Sequence, residues 1–335
     1  MGESRRSGFS TLELPLQMRD AELMLRRASR PLVIGMGGGG DVVGALATAE
    51  LARMYDGADP VLGGLTWERR PIDPVPGPRR VSEIEAAREL APGVIFAGAQ
   101  TRVRGRDVYF AESRMAEFLG QPTVLVDIHD GPAAIAAGLR GAASQLGCDL
   151  LVFVDVGGDV LARGDERGLR SPLCDAVMLA AAERLARGGQ QVLLGIFGIG
   201  CDAELTAREV LARLAEVAAA GGVCGARGLT EPVAERLEGA MQIVPTEASA
   251  QAVRAFRGAF GLAWIRGGAR SLELNLAAAL TFYLDVTATI QAAGRLARAV
   301  AEAGSIDEAN DALNRIGVQT ELDFEIEAAR EDTER

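Results

Sequence analysis

The sequence predicts an α/β protein with a doubly wound, mainly parallel, Rossmann-like sheet and a more helical C-terminal part. Short β-branched and apolar runs recur along the chain, and helical patterns of ten or more residues separate them. These runs are apolar throughout rather than alternating, which is typical of strands in a sheet covered on both faces. With 335 residues, 48% of them hydrophobic, the chain is long enough to bury a sizeable core.

The predicted elements follow one another in a βα order. The apolar runs predict strands over residues 31–36, 93–98, 123–128, 150–156 and 191–200. The helical patterns predict helices over residues 41–55, 132–145, 172–187 and 203–219. Between the first helix and the second strand, residues 68–80 carry four prolines and are expected to form an extended loop.

The sequence divides into four segments. Residues 1–30 form an N-terminal segment, and residues 31–225 are expected to be the Rossmann-like core. Residues 226–320 are expected to be mainly helical and to pack on that core, because 271–304 has the pattern of one or two long amphipathic helices. These apolar helices could also pack in a homodimer. Residues 321–335 are acidic and are expected to be a frayed tail.

Charge and apolar patterning exclude two classes of partner. The net charge of −11 argues against a nucleic-acid partner, since phosphate backbones require a concentrated basic face. No apolar stretch reaches the roughly 18–20 residues of a membrane helix. The Arg5–Arg6 pair could suggest a twin-arginine signal, but charged residues follow it and no apolar signal core does. We therefore expect a cytoplasmic protein.

Two residue types are nearly or wholly absent, and this limits the chemistry. All 35 basic residues are arginine, which excludes the P-loop lysine and the Schiff base that pyridoxal phosphate requires. The single histidine excludes multi-histidine metal sites. The four cysteines form no CxxC pair, so a zinc ribbon is not expected and buried free thiols are. We expect no haem, no pyridoxal phosphate and no structural zinc.

Glycine beside an acidic residue recurs after four of the predicted strands. The motifs are "GMGGGGD", "DIHDGP", "DVGGD" and "GIGCDAE". In an open parallel sheet, ligands bind at the carboxyl ends of the strands. Glycine lets a ligand approach the main chain, and carboxylates can hold a divalent cation or accept hydrogen bonds from sugar hydroxyls. The repetition predicts one shared site at this edge of the sheet.

The first of these motifs has the spacing of a phosphate-binding loop. Gly35, Gly37 and Gly40 fit G-x-G-x-x-G between a strand and a helix, where main-chain amides can cradle a phosphate. The alternative is a tight turn without a ligand. Asp41 is expected to cap the helix, and it would oppose a phosphate unless a metal intervened. The acid that a dinucleotide site needs about 20 residues later is ambiguous. The candidates are Asp56, Asp59 and Glu68.

Three further groups are candidates for chemistry. Asp155 and Asp159 lie four residues apart across a Gly-Gly turn and could bind Mg²⁺ or a ribose, or belong to a solvated loop. His129 stands beside Asp130 and could act as a general acid or base, or be structural. Arginines could neutralise phosphate or form surface ion pairs. They are Arg163, Arg167 and Arg170 after the fourth strand, and Arg266 and Arg270 around a Gly-Gly turn.

The predicted site therefore has the following members. Asp155, Asp159, His129 and Asp130 are the candidate catalytic residues, and Asp155 and Asp159 are also the candidate metal ligands. The predicted cofactor contacts are Gly35, Gly37, Gly38, Gly39, Gly40, Asp41, Gly157, Gly158, Gly200, Asp202 and Arg266.

Five longer segments together resemble a known family. They are "GMGGGGDVVGA", "GGLTWERRPIDP", "DVGGDVLARGDE", "SPLCDA" and "GIGCDAELT". They resemble, in this order, the family called domain of unknown function 1152, which occurs in archaeal and bacterial genomes. The resemblance implies one continuous family domain over almost the whole chain and assigns no catalytic residue.

Three hypotheses about function remain open. The first is an enzyme that binds a nucleotide or another phosphorylated small molecule, with Mg²⁺, and transfers a phosphoryl or related group. The second is a nicotinamide- or flavin-dependent oxidoreductase that uses the same glycine motif. The third is a sensor or assembly subunit that binds a nucleotide without turning it over.

Overall fold

The computed structural model describes residues 20–334. Within this range the main-chain hydrogen bonds define eleven strands and twelve α-helices. The strands are β1 (Pro31–Gly35), β2 (Val61–Leu65), β3 (Ile84–Ala91), β4 (Val94–Val103), β5 (Thr123–Val126), β6 (Leu150–Val156), β7 (Val192–Phe197), β8 (Val223–Gly228), β9 (Gly261–Ile265), β10 (Arg270–Leu274) and β11 (Leu280–Leu284). The helices are α1 (Ala21–Arg27), α2 (Asp41–Leu51), α3 (Ala111–Leu119), α4 (Gly131–Leu146), α5 (Pro172–Arg187), α6 (Ala207–Ala219), α7 (Glu231–Met241), α8 (Glu247–Phe256), α9 (Val286–Ala292), α10 (Arg295–Val300), α11 (Ile306–Arg315) and α12 (Glu321–Glu334).

Nine of these strands form one mixed sheet. Its order is β3-β4-β5-β2-β1-β6-β7-β11-β8. The five central strands, β5, β2, β1, β6 and β7, are parallel. Antiparallel strands complete both edges, β4 and β3 on one side and β11 and β8 on the other. The predicted α/β class with a mainly parallel central sheet is confirmed.

Helices cover both faces of this sheet, which explains why its strands are apolar throughout. In β1, Leu32 and Ile34 point to a cluster that includes α4 and α5, whereas Val33 points to a cluster that includes α2 and α7. All three side chains are fully buried. Because successive side chains on a strand face opposite sides, a strand covered on both sides has no solvent-facing position to fill with polar residues.

The predicted helices of the core are confirmed to within a few residues. The first continues from α2 through a short π-helical turn to Asp56, and the others correspond to α4, α5 and α6. Strand β2 was not predicted from the sequence. Its Gly63 and Gly64 weaken the strand pattern, and the structure shows what Gly64 accommodates, because a β-carbon there would collide with the buried carboxyl of Glu112.

The prediction of long helices over residues 271–304 is wrong. This segment contains β10 and β11 and the short helices α9 and α10. Strand β11 lies between β7 and β8 in the main sheet, antiparallel to both. Its neighbours in the sheet are distant in sequence, so local periodicity does not reveal the pairing. The predicted division after residue 225 falls within β8.

The acidic segment at the C-terminus is also not frayed where the structure describes it. It forms α12, and Leu322 is buried against the core that contains α5. The first 19 residues, with the Arg5–Arg6 pair, lie outside the described part of the chain. No helix within the described range combines the length and the apolar character needed to cross a membrane.

Candidate functional site

A pocket of about 590 Å³ opens at the carboxyl ends of β1, β6 and β7. The segments after these three strands form its floor. Its wall consists of the loop after β2, the start of α8, the turn between β9 and β10, and α12. Three of the four Gly-and-acid motifs therefore converge here, as strand-end ligand sites do.

The glycine loop, residues 37–40, bends tightly between β1 and α2. Gly38 and Gly39 have φ angles of 79° and 57°, which favour glycine because a β-carbon is strained there. At Gly37 a β-carbon would lie 2.5 Å from Oδ2 of Asp41, and at Gly40 it would lie 2.6 Å from Oγ1 of Thr246. Glycine is thus favoured by conformation at positions 38 and 39, whereas a β-carbon at 37 or 40 would displace the side chain of Asp41 or Thr246.

Two main-chain amides of this loop already have partners within the protein. The Gly37 N–H donates to Oδ2 of Asp41 at 3.0 Å. The Gly39 N–H donates to the carbonyl of Trp67 at 3.1 Å. The carboxylate of Asp41 therefore takes the amide that a phosphate would use in a G-x-G-x-x-G loop, and it faces the pocket itself.

Three carboxyl groups from different elements meet beneath the glycine loop. Asp41 begins α2, Asp155 is the penultimate residue of β6, and Asp175 lies in the first turn of α5. One oxygen from each lies within 4.8 Å of the other two. We call these residues the first acidic set. Such spacing is compatible with a divalent cation bonded to oxygen at roughly 2.0–2.6 Å.

A second acidic set comprises Asp159, Asp202 and Glu204, whose ligand oxygens also lie within 4.8 Å of one another. The main chain is shaped to bring them together. Ala203, between two members of the set, has a φ of 60°, an unusual conformation for a residue with a β-carbon. At Gly157 a β-carbon would collide with the carboxyl of Asp202. Asp155 and Asp159, predicted to act together, belong to different sets.

The pKa values of five carboxyl groups at this site are raised above their ordinary values. Burial raises the pKa of Asp41 to about 7. Burial, reinforced by neighbouring acids, raises the pKa values of Asp155, Asp159, Asp175 and Asp202 well above the usual range. Withdrawing a carboxylate from water disfavours the charged form, and another negative charge nearby adds to the cost.

Two carboxyl oxygens at this site have no hydrogen-bond partner among the described residues. They are Oδ2 of Asp159 and Oδ1 of Asp175. Both side chains line the pocket and are at least 96% buried. A buried polar atom without a partner is costly, so these two oxygens are candidate contacts for a ligand.

Three arginines line the rim of the pocket near the second acidic set. Arg170, Arg266 and Arg270 all line the pocket, and Nη2 of Arg266 lies 3.7 Å from Oε1 of Glu204. Glu204 is also fixed by the main-chain amides of Arg170 and Ser171, at 2.6 and 2.8 Å. The guanidinium of Arg266 is half-exposed and could meet an anion that enters the pocket.

Helix α12 closes one side of the pocket through two buried glutamates. Oxygens of Glu321 accept hydrogen bonds of 2.9 Å from the amides of Leu173 and Cys174, at the start of α5. Glu325 accepts hydrogen bonds from Nε1 of Trp67 at 3.0 Å and from the amide of Gly77 at 2.8 Å. A carboxylate at a helix N-terminus is stabilised by the unpaired amides and the helix dipole.

Not every predicted site residue lies in the pocket. His129 follows β5, two strands away from β1, and its Nδ1 lies 2.6 Å from Oδ1 of Asp127. Asp130 forms an ion pair of 3.1 Å with Arg80. Neither lines the pocket. The predicted residues outside the lining are His129, Asp130, Gly35, Gly39, Gly157, Gly158, Gly200 and Asp155. Asp155 belongs to the first acidic set and lies buried under the floor of the pocket.

The sequence prediction missed several residues that the structure places here. They are Asp175, Glu204, Arg69, Glu321 and Glu325. Sequence features could have pointed to two of them, because Asp175 follows the helix start at Ser171-Pro172 and Glu204 follows Asp202 within one strand-end motif. The glutamates of α12 had no local signal, since an acidic C-terminal segment is usually solvent-exposed.

The fold and the site define an α/β protein with a pocket at the strand ends that is lined by buried acidic residues. A family model described as "Protein of unknown function (DUF1152)" matches residues 32–329, nearly the whole chain. The chain belongs to this family, as the resemblance of its motifs implied. No curated protein and no solved structure matches the chain.

Proposed function

We propose that this protein is a divalent-cation-dependent enzyme that acts on a nucleotide or another phosphate-bearing small molecule. One observation carries the proposal. A single pocket combines a floor of buried carboxyl groups, two of them with unpartnered oxygens, and a rim of arginines. The floor has the chemistry of a cation site, and the rim has the chemistry of an anion site.

The floor suits a hard cation such as Mg²⁺. Buried carboxylates without a nearby positive charge are unfavourable, and a cation bound among them supplies positive charge and a partner for a free carboxyl oxygen. Among the described residues, no arginine forms an ion pair of 4.0 Å or less with the first acidic set, and Arg69 acts on Asp41 and Asp175 only from a greater distance. A cation is therefore the natural counter-charge there.

The rim suits phosphate. Guanidinium groups bind phosphate oxygens in a planar, two-pronged geometry, and in a chain without lysine they are the only strong cationic donors. Arg266 and Arg270 approach from the turn between β9 and β10, so a phosphate would lie between these arginines and the cation. This arrangement offsets the charge that Asp41 brings to the glycine loop.

The reaction class that fits such a site is phosphoryl or related group transfer. The bond from phosphorus to the leaving oxygen breaks, a bond to the acceptor oxygen forms, and the acceptor's proton passes to a carboxylate of the floor. The cation and the arginines would stabilise the negative charge on the transferred group.

We also propose that the core is Rossmann-like. Numbered among themselves along the chain, the five parallel strands β1, β2, β5, β6 and β7 have the spatial order 3-2-1-4-5. This order belongs to dinucleotide-binding folds, whose ligands bind where the strand order reverses. The reversal lies between β1 and β6, and the acidic floor lies at their carboxyl ends.

The strand order also favours a second candidate, a nicotinamide- or flavin-dependent oxidoreductase. The three acidic residues that could bind the ribose of a dinucleotide argue against this candidate. Asp56 is paired with Arg227, Asp59 with Arg30, and Glu68 accepts from the amide of Ala111. None of the three lines the pocket. A non-catalytic nucleotide sensor would use the same pocket and differs only in the absence of turnover.

Thermal melting against a ligand panel tests the proposal. ATP, GTP and NAD are each added with and without Mg²⁺ to the full chain. A ligand at about a hundred times its Kd adds roughly 2.7 kcal/mol of stability, and we expect a shift of about two degrees or more. The expected result is a Mg²⁺-dependent shift with a nucleoside triphosphate, lost in Asp155→Asn and kept in Asp107→Asn, an exposed control.

The outcomes separate the three hypotheses. A shift with NAD alone, independent of Mg²⁺, would replace the proposal with the oxidoreductase. If a Mg²⁺-dependent shift is found, the protein is incubated with that ligand for a long time and the mixture is analysed by chromatography and for released phosphate. The absence of any product would indicate a sensor. Equal shifts in wild type and Asp155→Asn would contradict the assignment of the cation to this floor.

A further inference from the structure

We infer that this pocket binds two divalent cations side by side, one at the first acidic set and one at the second. The inference rests on the proposed function, because both ions would act on the same phosphate-bearing ligand. It adds a second metal site, held by Asp159, Asp202 and Glu204, to the cation that the proposed function requires.

Each set is large enough for one ion. Oxygens bonded to the same cation at roughly 2.0–2.6 Å lie at most about 5 Å apart. The oxygens within each set satisfy this limit, at 4.8 Å or less. The two sets are neighbours, because Asp155 and Asp159 stand at opposite ends of the Gly157-Gly158 turn.

Each set also has its own unpartnered buried oxygen. In the first it is Oδ1 of Asp175, and in the second it is Oδ2 of Asp159. Asp175 is 2% exposed and Asp159 is 4% exposed, so water does not compensate either atom freely. An ion in the first set would leave the oxygen of Asp159 unpartnered. Two ions give both oxygens a partner.

The balance of charges in the pocket also supports two bound cations. Five of the six carboxyl groups belong to buried residues and the sixth, that of Asp41, is half-buried. Arg266, at 3.7 Å from Glu204, is the only arginine of the described chain within ion-pair distance of either set. One divalent cation offsets two negative charges, and two offset four. The arginines that line the pocket can offset the remaining two charges.

The second set is held rigidly enough to act as a metal site. Oε1 of Glu204 accepts from Oγ of Ser171 at 2.7 Å, and the other oxygen accepts from two main-chain amides. The amide of Glu204 donates to Oδ1 of Asp202 at 3.2 Å. Hydrogen bonds of this kind fix a ligating carboxylate before the ion arrives.

Paired ions suit the proposed chemistry. In two-metal sites, one ion lies near the attacking oxygen and the other near the leaving oxygen of the same phosphoryl group. Arg266, which contacts the second set, would place that group over both ions. The substrate class is therefore a phosphate ester or anhydride whose oxygens bridge two metals.

Metal stoichiometry of the full chain tests the inference. Mn²⁺ serves as the probe, counted by equilibrium dialysis and observed by electron paramagnetic resonance. We expect two Mn²⁺ per wild-type chain, with a spin-coupled signal. Asp175→Asn and Asp202→Asn should each bind one ion with an uncoupled signal, and Asp107→Asn should bind two. The asparagine variants keep the side-chain shape, and their melting curves verify folding.

The results distinguish this inference from the proposed function. One ion per wild-type chain, lost in Asp175→Asn and retained in Asp202→Asn, would overturn the second site and leave the proposed function intact. No bound Mn²⁺ in the wild type would overturn both. If Asp202→Asn does not fold, Glu204→Gln tests the same set, and retention of two ions in that variant would also overturn the inference.

Discussion

Arg69 donates a hydrogen bond of 2.6 Å from Nη2 to the carbonyl oxygen of Gly37. The same nitrogen lies 3.3 Å from Oε1 of Glu321. One side chain from the loop after β2 thus connects the glycine loop with α12, and its guanidinium stacks over the ring of Trp67 at 4.3 Å. The floor and the wall of the pocket are therefore connected, and we expect substitutions in α12 to affect the structure of the pocket.

Glu321→Gln should destabilise the protein by about 1–3 kcal/mol. The substitution keeps the shape but removes the charge that accepts from two amides of α5 and from Arg69, and hydrogen bonds to charged groups are worth about that much. Urea unfolding measures the change. Glu327→Gln, an exposed residue of the same helix, is the control and should be within about 0.5 kcal/mol of wild type. Equal stability of the two variants would contradict the docking of α12.

The cation-free protein should lose stability as the pH rises from 5 to 8. Burial raises the pKa values of Asp41 and Glu68 to about 7 in the folded protein, whereas they ionise near pH 4 when unfolded. Between these values the folded state binds more protons, so the free energy of unfolding is largest at low pH and falls as the pH approaches 7. Urea unfolding in EDTA at four pH values measures the slope.

Asp41→Asn tests the origin of that slope. It removes one titrating group and should flatten the slope between pH 5 and 6 by about 1.4 kcal/mol per pH unit. Asp107→Asn should not change it. Added Mg²⁺ should stabilise the wild type more at pH 8 than at pH 5, because a cation competes with protons for the carboxylates. A stability that rises from pH 5 to 8 in EDTA would contradict the buried, protonated floor.

Gly37→Ala should weaken Mg²⁺ binding at least tenfold and cost about 1–3 kcal/mol of stability. The new β-carbon would lie 2.5 Å from Oδ2 of Asp41, so the carboxyl group must move away from the first acidic set. Isothermal titration with Mg²⁺ measures the affinity. Gly98→Ala is the matched control, because a β-carbon there meets no atom within 4 Å. Unchanged Mg²⁺ affinity in Gly37→Ala would separate the glycine loop from the cation site.

Arg266→Gln should weaken the binding of a nucleoside triphosphate by about ten- to a hundredfold. Its guanidinium is half-exposed and can bind phosphate, and a charge-assisted hydrogen bond is worth about 1.5–3 kcal/mol. Titration calorimetry in Mg²⁺ gives the Kd, and Arg106→Gln, an exposed residue far from the pocket, is the control. An equal Kd for both variants would mean that the rim arginines do not hold the phosphate.

The sequence by itself determined the α/β class, the main helices of the core, and the carboxyl ends of the strands as the place where glycines and acids gather. These features are local, because apolar runs, helical periodicity and strand-end motifs are each contained in a few neighbouring residues. The tertiary structure decided which motifs meet. Strand order placed the motifs after β1, β6 and β7 together and left His129 outside, and it divided Asp155 and Asp159 between two acidic sets. It also turned an expected helix into β11 and an expected frayed tail into α12, because both depend on contacts with residues far away in the chain.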